Sequence, residues 1–476
     1  MSLARAPSTA GAAGAAVAPS ARGAAFWTRS RVAAALESLA AIHLPRGDEA
    51  YGRVCTDTRS VQAGDLFVAL VGERFDAHHF VSEAVAKGAT GVVVSRDVGR
   101  TGVPTYVVGD TLGALGALGT YRRLAWGGPL IAVVGSNGKT STKELLRAAL
   151  SSRYEVHATE GNLNNLVGAP LTLLALPDAA EIAVVELGTN HPGEIARLRA
   201  IARPNATVVT WIAEEHLEGL GDLAGVLREE LAACEDVELA VVPAAQPDVC
   251  EAARSRASRV VSAGVGAGDL RADAVTLDAA GRSRLTVNGV AVDVPFAGAH
   301  NAGNAMLAIA MAKEAGIPVD AAAEGLRSGR IALPPMRAHV ERHGRITLIN
   351  DAYNANPASV REALGLLAAV GAGRQRIALL GTMLELGAHS ERLHDAVLRA
   401  ALAGPVDLVV GIGEFAAAID RLPARDARAV TAPDPEHGWR AAASRATPDA
   451  AILIKGSRGM RLERAVPHIV AWASKA

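Results

Sequence analysis

The sequence predicts an α/β protein of three domains. Short apolar runs alternate with helical patterns over most of the chain, a glycine-containing turn joins a buried strand to a helix near residue 135, and Pro334-Pro335 interrupts the pattern before a fresh α/β series begins. The length of 476 residues agrees with that count, since domains usually hold roughly 100 to 200 residues. No period of roughly 20 to 50 residues recurs, so solenoids and propellers are set aside.

The first 25 residues are rich in Ala, Gly, Ser and Pro, and the stretch Gly11 to Ala18 is too weakly apolar for a secretory core, so residues 1–25 are expected to be a flexible tail. An N-terminal domain is expected over 26–126, with strands Leu66 to Val71 and Gly91 to Val94 around the helical stretch His79 to Lys87. A central domain is expected over 127–332. It opens with the strand Leu130 to Val134 and the helix Ser141 to Leu150, and continues with strands Ile182 to Leu187 and Ala206 to Ile212. Strands separated by helices imply a mainly parallel sheet covered on both faces. Near its end Asn288-Gly289, a favoured two-residue hairpin turn, adds a small antiparallel piece, and the helix Ala302 to Ala315 follows. Residues 333–476 repeat the alternation with strands Ile346 to Ile349, Ile377 to Leu380, Leu408 to Gly411 and Ala451 to Ile454, which predicts a Rossmann-like, doubly wound third domain.

Composition narrows the functional classes. Half the residues are hydrophobic and 20% are charged, with 48 basic against 49 acidic residues, so no global field exists to hold nucleic acid. Cys55, Cys234 and Cys250 are widely spaced and form no C-x-x-C pair, which argues against a disulfide framework or thiolate zinc site and for a reducing cytoplasm. No apolar run reaches the roughly 18 to 20 residues of a membrane span.

The strongest local signal is I-A-V-V-G-S-N-G-K-T-S, Ile131 to Ser141. Gly135 and Gly138 permit close backbone approach, Ser136, Asn137 and Ser141 complete the turn, Lys139 can reach terminal phosphates and the Thr140 hydroxyl can ligate magnesium. The match is to G-x-x-G-K-T, because Val133 stands where the longer phosphate-loop motif has glycine. Glu186 closes the next apolar strand, at the edge where open α/β sheets bind ligands. By itself it reads equally well as a solvated strand end, and His216 as an ordinary polar residue.

The G-S-N-G-K-T loop, V-E-L-G, E-H-L-E-G-L-G, G-A-H-N-A-G-N-A and N-D-A-Y-N-A-N-P together resemble the Mur ligases, ATP-dependent enzymes that add amino acids to the UDP-linked peptidoglycan precursor. Within them D-T-R-S (Asp57 to Ser60), G-N-L-N-N-L-V-G-A-P-L-T-L-L (Gly161 to Leu174), M-L-E-L-G (Met383 to Gly387) and K-G-S-R-G-M (Lys455 to Met460) are most similar to the MurF branch, which joins D-alanyl-D-alanine to UDP-N-acetylmuramoyl-tripeptide. The D-Y-A-H-T-P and D-N-P-R stretches expected of a MurE ligase are absent. The resemblance implies ATP and magnesium as cofactors, an acyl-phosphate route, a UDP-sugar domain followed by an ATPase domain and a closing domain, and a cytoplasmic monomer.

The same resemblance implies roles for individual residues. Thr140 and Glu186 match ligands of the magnesium between the ATP phosphates, and His216 a ligand of a second metal; Asn301 matches the adenine contact, with a helix N-cap as the alternative. Arg337 and Asp351 match nucleotide contacts from the closing domain. Thr58, Arg59 and Ser60 match contacts to the UDP part, Asn164 and Asn165 lie toward the sugar or peptide, and Lys455, Ser457 and Arg458 are candidates for the incoming dipeptide. Polar turns, loop caps and a salt-bridged strand end are the respective alternatives. Two departures stand out. Thr382 replaces the usual acid of G-D-M-L-E-L-G, and Glu230 stands where the family carries a carbamylated lysine, with no lysine anywhere from Glu144 to Ala312. Glu230 is therefore either a substitute carboxylate for the second metal or a solvated helix residue. A MurE-like or folylpolyglutamate-type ligase and a catalytically silent nucleotide-binding paralogue remain as alternatives.

Overall fold

The computed structural model describes residues 25–42, 44–328, 331 and 335–475. The tail expected over 1–25 lies outside them apart from Ala25, as does Pro334 of the expected break.

Four short parallel strands, in the order Val54–Cys55, Leu66–Val68, Gly91–Val94 and Thr105–Val107, form the N-terminal sheet. The 16-residue helix Thr111–Trp126 leaves it, started by the Asp110 carboxylate, which accepts the amides of Leu112 and Gly113, and stopped at Gly127 in the left-handed region. Glycine spacing lets this helix lie against the next sheet's helices: a Cβ on Gly119 would sit 3.1 Å from the Pro170 Cα. Two buried arginines fasten it there. Arg123 donates to the Ala202 carbonyl at 3.0 Å, and Arg122 reaches Asp178 at 2.6 Å.

Seven parallel strands follow, in the order Val156–Ala158, Ile182–Glu186, Leu130–Val134, Ala206–Val209, Leu239–Pro243, Val260–Val265 and Leu270–Ala272. Every residue of Leu130–Val134 is buried, as expected of a strand with helices on both faces. The chain places Val156–Ala158 and Ile182–Glu186 on one side of Leu130–Val134 and then crosses to Ala206–Val209 on the other, which places a crevice beyond its carboxyl end. The antiparallel addition has three strands, Ala274–Leu277, Arg282–Val287 and Val290–Ala297, with Asn288 and Gly289 both at positive φ in the predicted turn. The predicted helix after it spans His300–Glu314.

The C-terminal sheet has the order His339–His343, Ile346–Asp351, Ala451–Lys455, Arg376–Gly381, Leu408–Ile412 and Ala429–Ala432. Its edge strand His339–His343 is antiparallel and the remaining five are parallel. The four predicted strands of this region are all present. One apolar cluster extends from the central sheet, through Leu130 and Val185, to Ile349, Leu380 and Leu453 of this sheet.

The phosphate-loop helix Lys139–Leu150 is backed by His300–Glu314 and by Val319–Ser328. At the second of these interfaces a Cβ on Gly325 would fall 2.5 Å from the Ala148 carbonyl oxygen. Gly325→Ala is therefore expected to lower the melting temperature, because overpacking costs about 1 to 3 kcal/mol and outweighs the better helix propensity of alanine. A thermal melt in which the variant equals or exceeds the parent would refute that packing.

Candidate active site

The parallel strands of the two larger sheets point their carboxyl ends at one cavity of about 480 Å³. From the central sheet come the turn after Leu130–Val134 and the last residue of Ile182–Glu186. From the C-terminal sheet come Asp351 and Lys455, the last residues of their strands.

The turn is built by conformational and steric constraint. Gly135 has φ +120° and a side chain there would collide with Thr210, while Gly138 has φ +87° and would collide with Asn304. Ser136 and Asn137 both donate their amides to the Trp211 carbonyl, at 2.8 and 3.1 Å. The amides of the following helix start have no intrahelical acceptor and are the donors available to an anion. Lys139 bends back over the Gly135 carbonyl and stands 3.7 Å from Glu215. Burial would pull its pKa down, but the carboxylates of Glu215, Glu230 and Glu186 outweigh that and hold it above the ordinary lysine value. Thr140 donates to Glu186 at 3.3 Å, and Asn164 donates to the same oxygen at 2.8 Å. The other Glu186 oxygen and Oε1 of Glu215 are buried without a hydrogen-bond partner. The unpartnered Glu186 oxygen beside the Thr140 hydroxyl suits a hard divalent cation that takes its remaining ligands from phosphate and water, while Glu215 Oε1 faces the Lys139 ammonium. Among the described residues no three His, Cys, Asp or Glu side chains converge as a preformed metal cage.

Most of the expected site residues meet here. Ser136, Asn137, Gly138, Lys139, Thr140 and Ser141 line the cavity on one side. Asn164, Asn165, Glu186 and His216 line it from neighbouring segments, and Asn301, Arg337, Asp351 and Lys455 from farther along the chain. Asn301 is not an N-cap: it lies inside the first turn and donates to the Ala297 carbonyl at 2.8 Å. Asn165 accepts the amides of Val167 and Gly168, the loop-capping alternative. Arg337 stacks on the Tyr353 ring at 4.2 Å, and its Nε is buried without a partner. Lys455 is paired with Asp351 at 2.9 Å and donates to the Asn354 carbonyl, so a salt bridge and a cavity position coexist. His216 pairs its Nδ1 with Glu385, and the carboxylates of Glu385 and Glu215 lift its pKa against the opposing effect of burial.

Other expected residues lie apart. Ser457 and Arg458 border a smaller adjoining hollow of about 130 Å³, which shares Glu215, His216 and Asn354 with the large cavity. Thr58, Arg59 and Ser60 form a turn of the N-terminal domain away from it. There Arg59 folds onto Asp57 at 2.6 Å and, chiefly through that hydrogen bond, lowers the Asp57 pKa to about 2. The solvated-helix reading of Glu230 does not match its place. It is 1% exposed, so it is not a solvated helix residue, and it lies beneath the loop, where it accepts the Gly135 amide at 2.8 Å instead of lining the cavity. Thr382 does the work of an acceptor, its hydroxyl oxygen taking the Glu414 amide at 3.0 Å.

The sequence reading missed Glu215, Asn304 and Asn356. Glu215 stood in the quoted E-H-L-E-G-L-G neighbourhood, one residue before the histidine, and the acid pair Glu214-Glu215 was the available signal. Asn356, 1% exposed, exchanges two side-chain hydrogen bonds with Asn137, at 3.1 and 2.8 Å, and so joins the C-terminal domain to the loop.

Residues 133–312 match the family described as Mur ligase middle domain and residues 336–458 that described as Mur ligase, glutamate ligase domain. A UDP-N-acetylmuramoyl-tripeptide–D-alanyl-D-alanine ligase of Escherichia coli is 37% identical over 375 residues, covering 77% of this chain and 82% of its own. The chain belongs to the MurF family of Mur ligases. The Bacillus subtilis ligase of the same name is 33% identical over 88% of this chain and 93% of its own. A crystal structure of MurF from Acinetobacter baumannii superposes with a TM-score of 0.85 at 31% identity, covering 94% of this chain and 99% of that one. A MurF ligase from Thermotoga maritima in complex with ADP superposes with a TM-score of 0.78 at 25% identity, over 89% and 98%. The three-domain α/β arrangement described above is thus the MurF fold.

Glu230 gives this MurF family member a pH signature. Burial, opposed by Lys139, raises its pKa from 4.5 to about 7 in the folded chain. The folded state therefore binds more protons than the unfolded state between those values, and the contribution of Glu230 to stability falls as pH rises through that window. Glu230→Gln removes the titration, so its melting temperature relative to the parent is expected to climb between about pH 5 and about pH 7.5. A constant difference across that range would contradict the buried placement.

Proposed function

We propose that this chain is the ATP-dependent ligase that joins D-alanyl-D-alanine to UDP-N-acetylmuramoyl-tripeptide, forming a C–N bond in peptidoglycan precursor synthesis. The observation that carries the reading is the cavity itself: a phosphate loop with Lys139, Thr140 and Glu186 on one wall faces Arg337, Asp351 and Lys455 on the other. The relatives named above share the activity this arrangement suits.

Nucleotide phosphates belong at the start of the helix Lys139–Leu150, with the loop residues 135–141 around them and Asn301 toward the base. Lys139 would give up the Gly135 carbonyl and place its ammonium on the terminal phosphates. Magnesium would be held by Thr140 and Glu186, with His216 and Glu215 on the adjacent side, and it would neutralise phosphate charge. The tripeptide carboxylate attacks the γ-phosphorus, ADP departs, and an acyl phosphate remains. The dipeptide amine then attacks the acyl carbon, expels phosphate and loses a proton as the amide forms. These steps need in-line placement and charge neutralisation more than a protein nucleophile. Arg337 and Asp351 would add contacts from the closing domain. Ser457 and Arg458, bordering the smaller hollow, suit the dipeptide, and Lys455 would orient Asp351 beside it. Thr58, Arg59 and Ser60 suit the UDP part, and Asn164 and Asn165 the sugar or peptide. The division into domains at 26–126, 127–332 and 333–476, a monomeric state and a cytoplasmic location complete the proposal. No helix among the described residues is long and apolar enough to cross a membrane.

Phosphate release from ATP is expected to require magnesium and the UDP-tripeptide, and amide product to require D-alanyl-D-alanine as well. Rapid ATP hydrolysis without the UDP-substrate would point to another enzyme. Lys139→Ala is expected to cut ligation at least about 10²-fold while the melting temperature changes little, because the loss is of transition-state charge stabilisation. A folded Lys139→Ala chain that turns over normally would remove the loop from the mechanism.

A further inference from the structure

The hydrogen bond from Gly135 to Glu230 links a fully buried acid to the first amide of the phosphate loop, across 95 residues of sequence. The peptide unit between Val134 and Gly135 is held from both ends. Its N–H donates to Glu230 Oε2 at 2.8 Å, and its carbonyl accepts the Thr210 amide and the Thr210 hydroxyl, each at 2.9 Å. Gly135 sits at φ +120°, which a residue with a side chain rarely adopts, and glycine has many other conformations open to it. Sterics alone therefore do not keep the turn in this shape. Something must hold the amide, and Glu230 is its acceptor.

We propose that Glu230 is a positioning residue for nucleotide binding: by accepting the Gly135 amide from beneath, it fixes the peptide plane from which the phosphate loop departs, so that the helix amides after Gly138 face the phosphates. The proposal rests on the ligase reading only in that the loop binds nucleotide. What Glu230 contributes is an acceptor oxygen at one position. Its environment agrees, since burial and nearby Glu215 favour the neutral acid, and a carboxylic acid keeps a carbonyl oxygen able to accept the amide. Of the groups around it, Lys139 and His216 pull toward the charged form and Glu215 away from it. The helix Leu223–Leu231 that carries Glu230 uses its neighbour in the same manner: Glu229 accepts the amides of Gly193 and Ile195, at 2.7 and 2.8 Å, at the start of the helix Glu194–Ala202. Two adjacent buried glutamates thus fasten two different backbone segments.

Acceptor geometry and charge separate in two conservative variants. Glu230→Gln keeps the oxygen at the same reach and removes the ionisable group, whereas Glu230→Asp keeps an ionisable carboxyl and withdraws the oxygen by one methylene, about 1.5 Å. ADP affinity would be measured calorimetrically in EDTA and again with magnesium. Glu230→Gln is expected to stay within about threefold of the parent in both conditions, and Glu230→Asp to lose about tenfold in both, the size of one buried hydrogen bond. Hydrogen exchange of the peptide covering residues 131–141, read without nucleotide, should quicken in the aspartate variant and not in the glutamine variant. That measurement tests the pinned amide even if the parent binds no ADP, a result that would overturn the ligase reading instead. Should the aspartate variant melt too low to study, Glu230→Met supplies the same length without an acceptor and is expected to behave like it. A glutamine variant weaker than the aspartate one, a loss seen only with magnesium, or no effect in either variant would each overturn the positioning role, the first two in favour of a charged or metal-binding carboxylate.

Discussion

The site depends on a helix whose first-turn amides have no intrahelical acceptor, while the amides of Gly135, Ser136 and Asn137 ahead of it are tied down. Gly135 donates to Glu230, and Ser136 and Asn137 donate to the Trp211 carbonyl, so the turn is rigid before any anion arrives. A helix start has amides without intrahelical acceptors in any protein. What suits this one to an anion is that the amides of Gly135, Ser136 and Asn137 are already satisfied inside the fold and the cavity opens in front of the helix start. Buried parallel strands on either side hold the arrangement, because neither Leu130–Val134 nor Ala206–Val209 has an exposed residue through which it could relax.

Charge in the cavity is arranged around Lys139. Three carboxylates, Glu215, Glu230 and Glu186, offset the cost of burying its ammonium, and two of them keep an oxygen without a hydrogen-bond partner. Unpaired buried carboxylate oxygens are costly in a finished structure. The carboxylates differ in placement: Glu230 lies beneath the loop and accepts the Gly135 amide, while Glu186 and Glu215 line the cavity.

The C-terminal domain reaches the loop directly. Asn356 caps the helix Pro357–Val370 and at the same time pairs with Asn137, and Glu385 pairs with His216. Its backbone carbonyl takes the Glu218 amide at 3.0 Å, and His389 bonds the Gly221 carbonyl. These polar contacts surround the cavity, so docking of the domain and assembly of the site are one event in this conformation.

The sequence alone determined the features that are local. Alternating apolar runs placed the strands Leu130–Val134 and Ala451–Lys455, Asn288-Gly289 placed the hairpin, and G-S-N-G-K-T placed the phosphate loop, because each depends on residues adjacent in the chain. Motif resemblance then brought in Glu186, His216, Arg337 and Asp351, which share no local pattern. The strands Val156–Ala158, Leu239–Pro243, Val260–Val265 and Leu270–Ala272 of the same sheet escaped notice; for the first and last, three residues give too little periodicity to read. Only the tertiary structure decided the rest. Glu230 beside Arg228 and Glu229 reads as a solvated helix face, yet the fold turns Glu229 and Glu230 inward as acceptors for distant amides. Arg59 and Ser60 read from sequence as a polar binding turn, and only the fold shows that the turn is closed upon Asp57. The physical reason is the same in each case: a carboxylate or guanidinium has the same chemistry wherever it lies, and its burial and partner, set by segments far along the chain, decide which part of that chemistry is used.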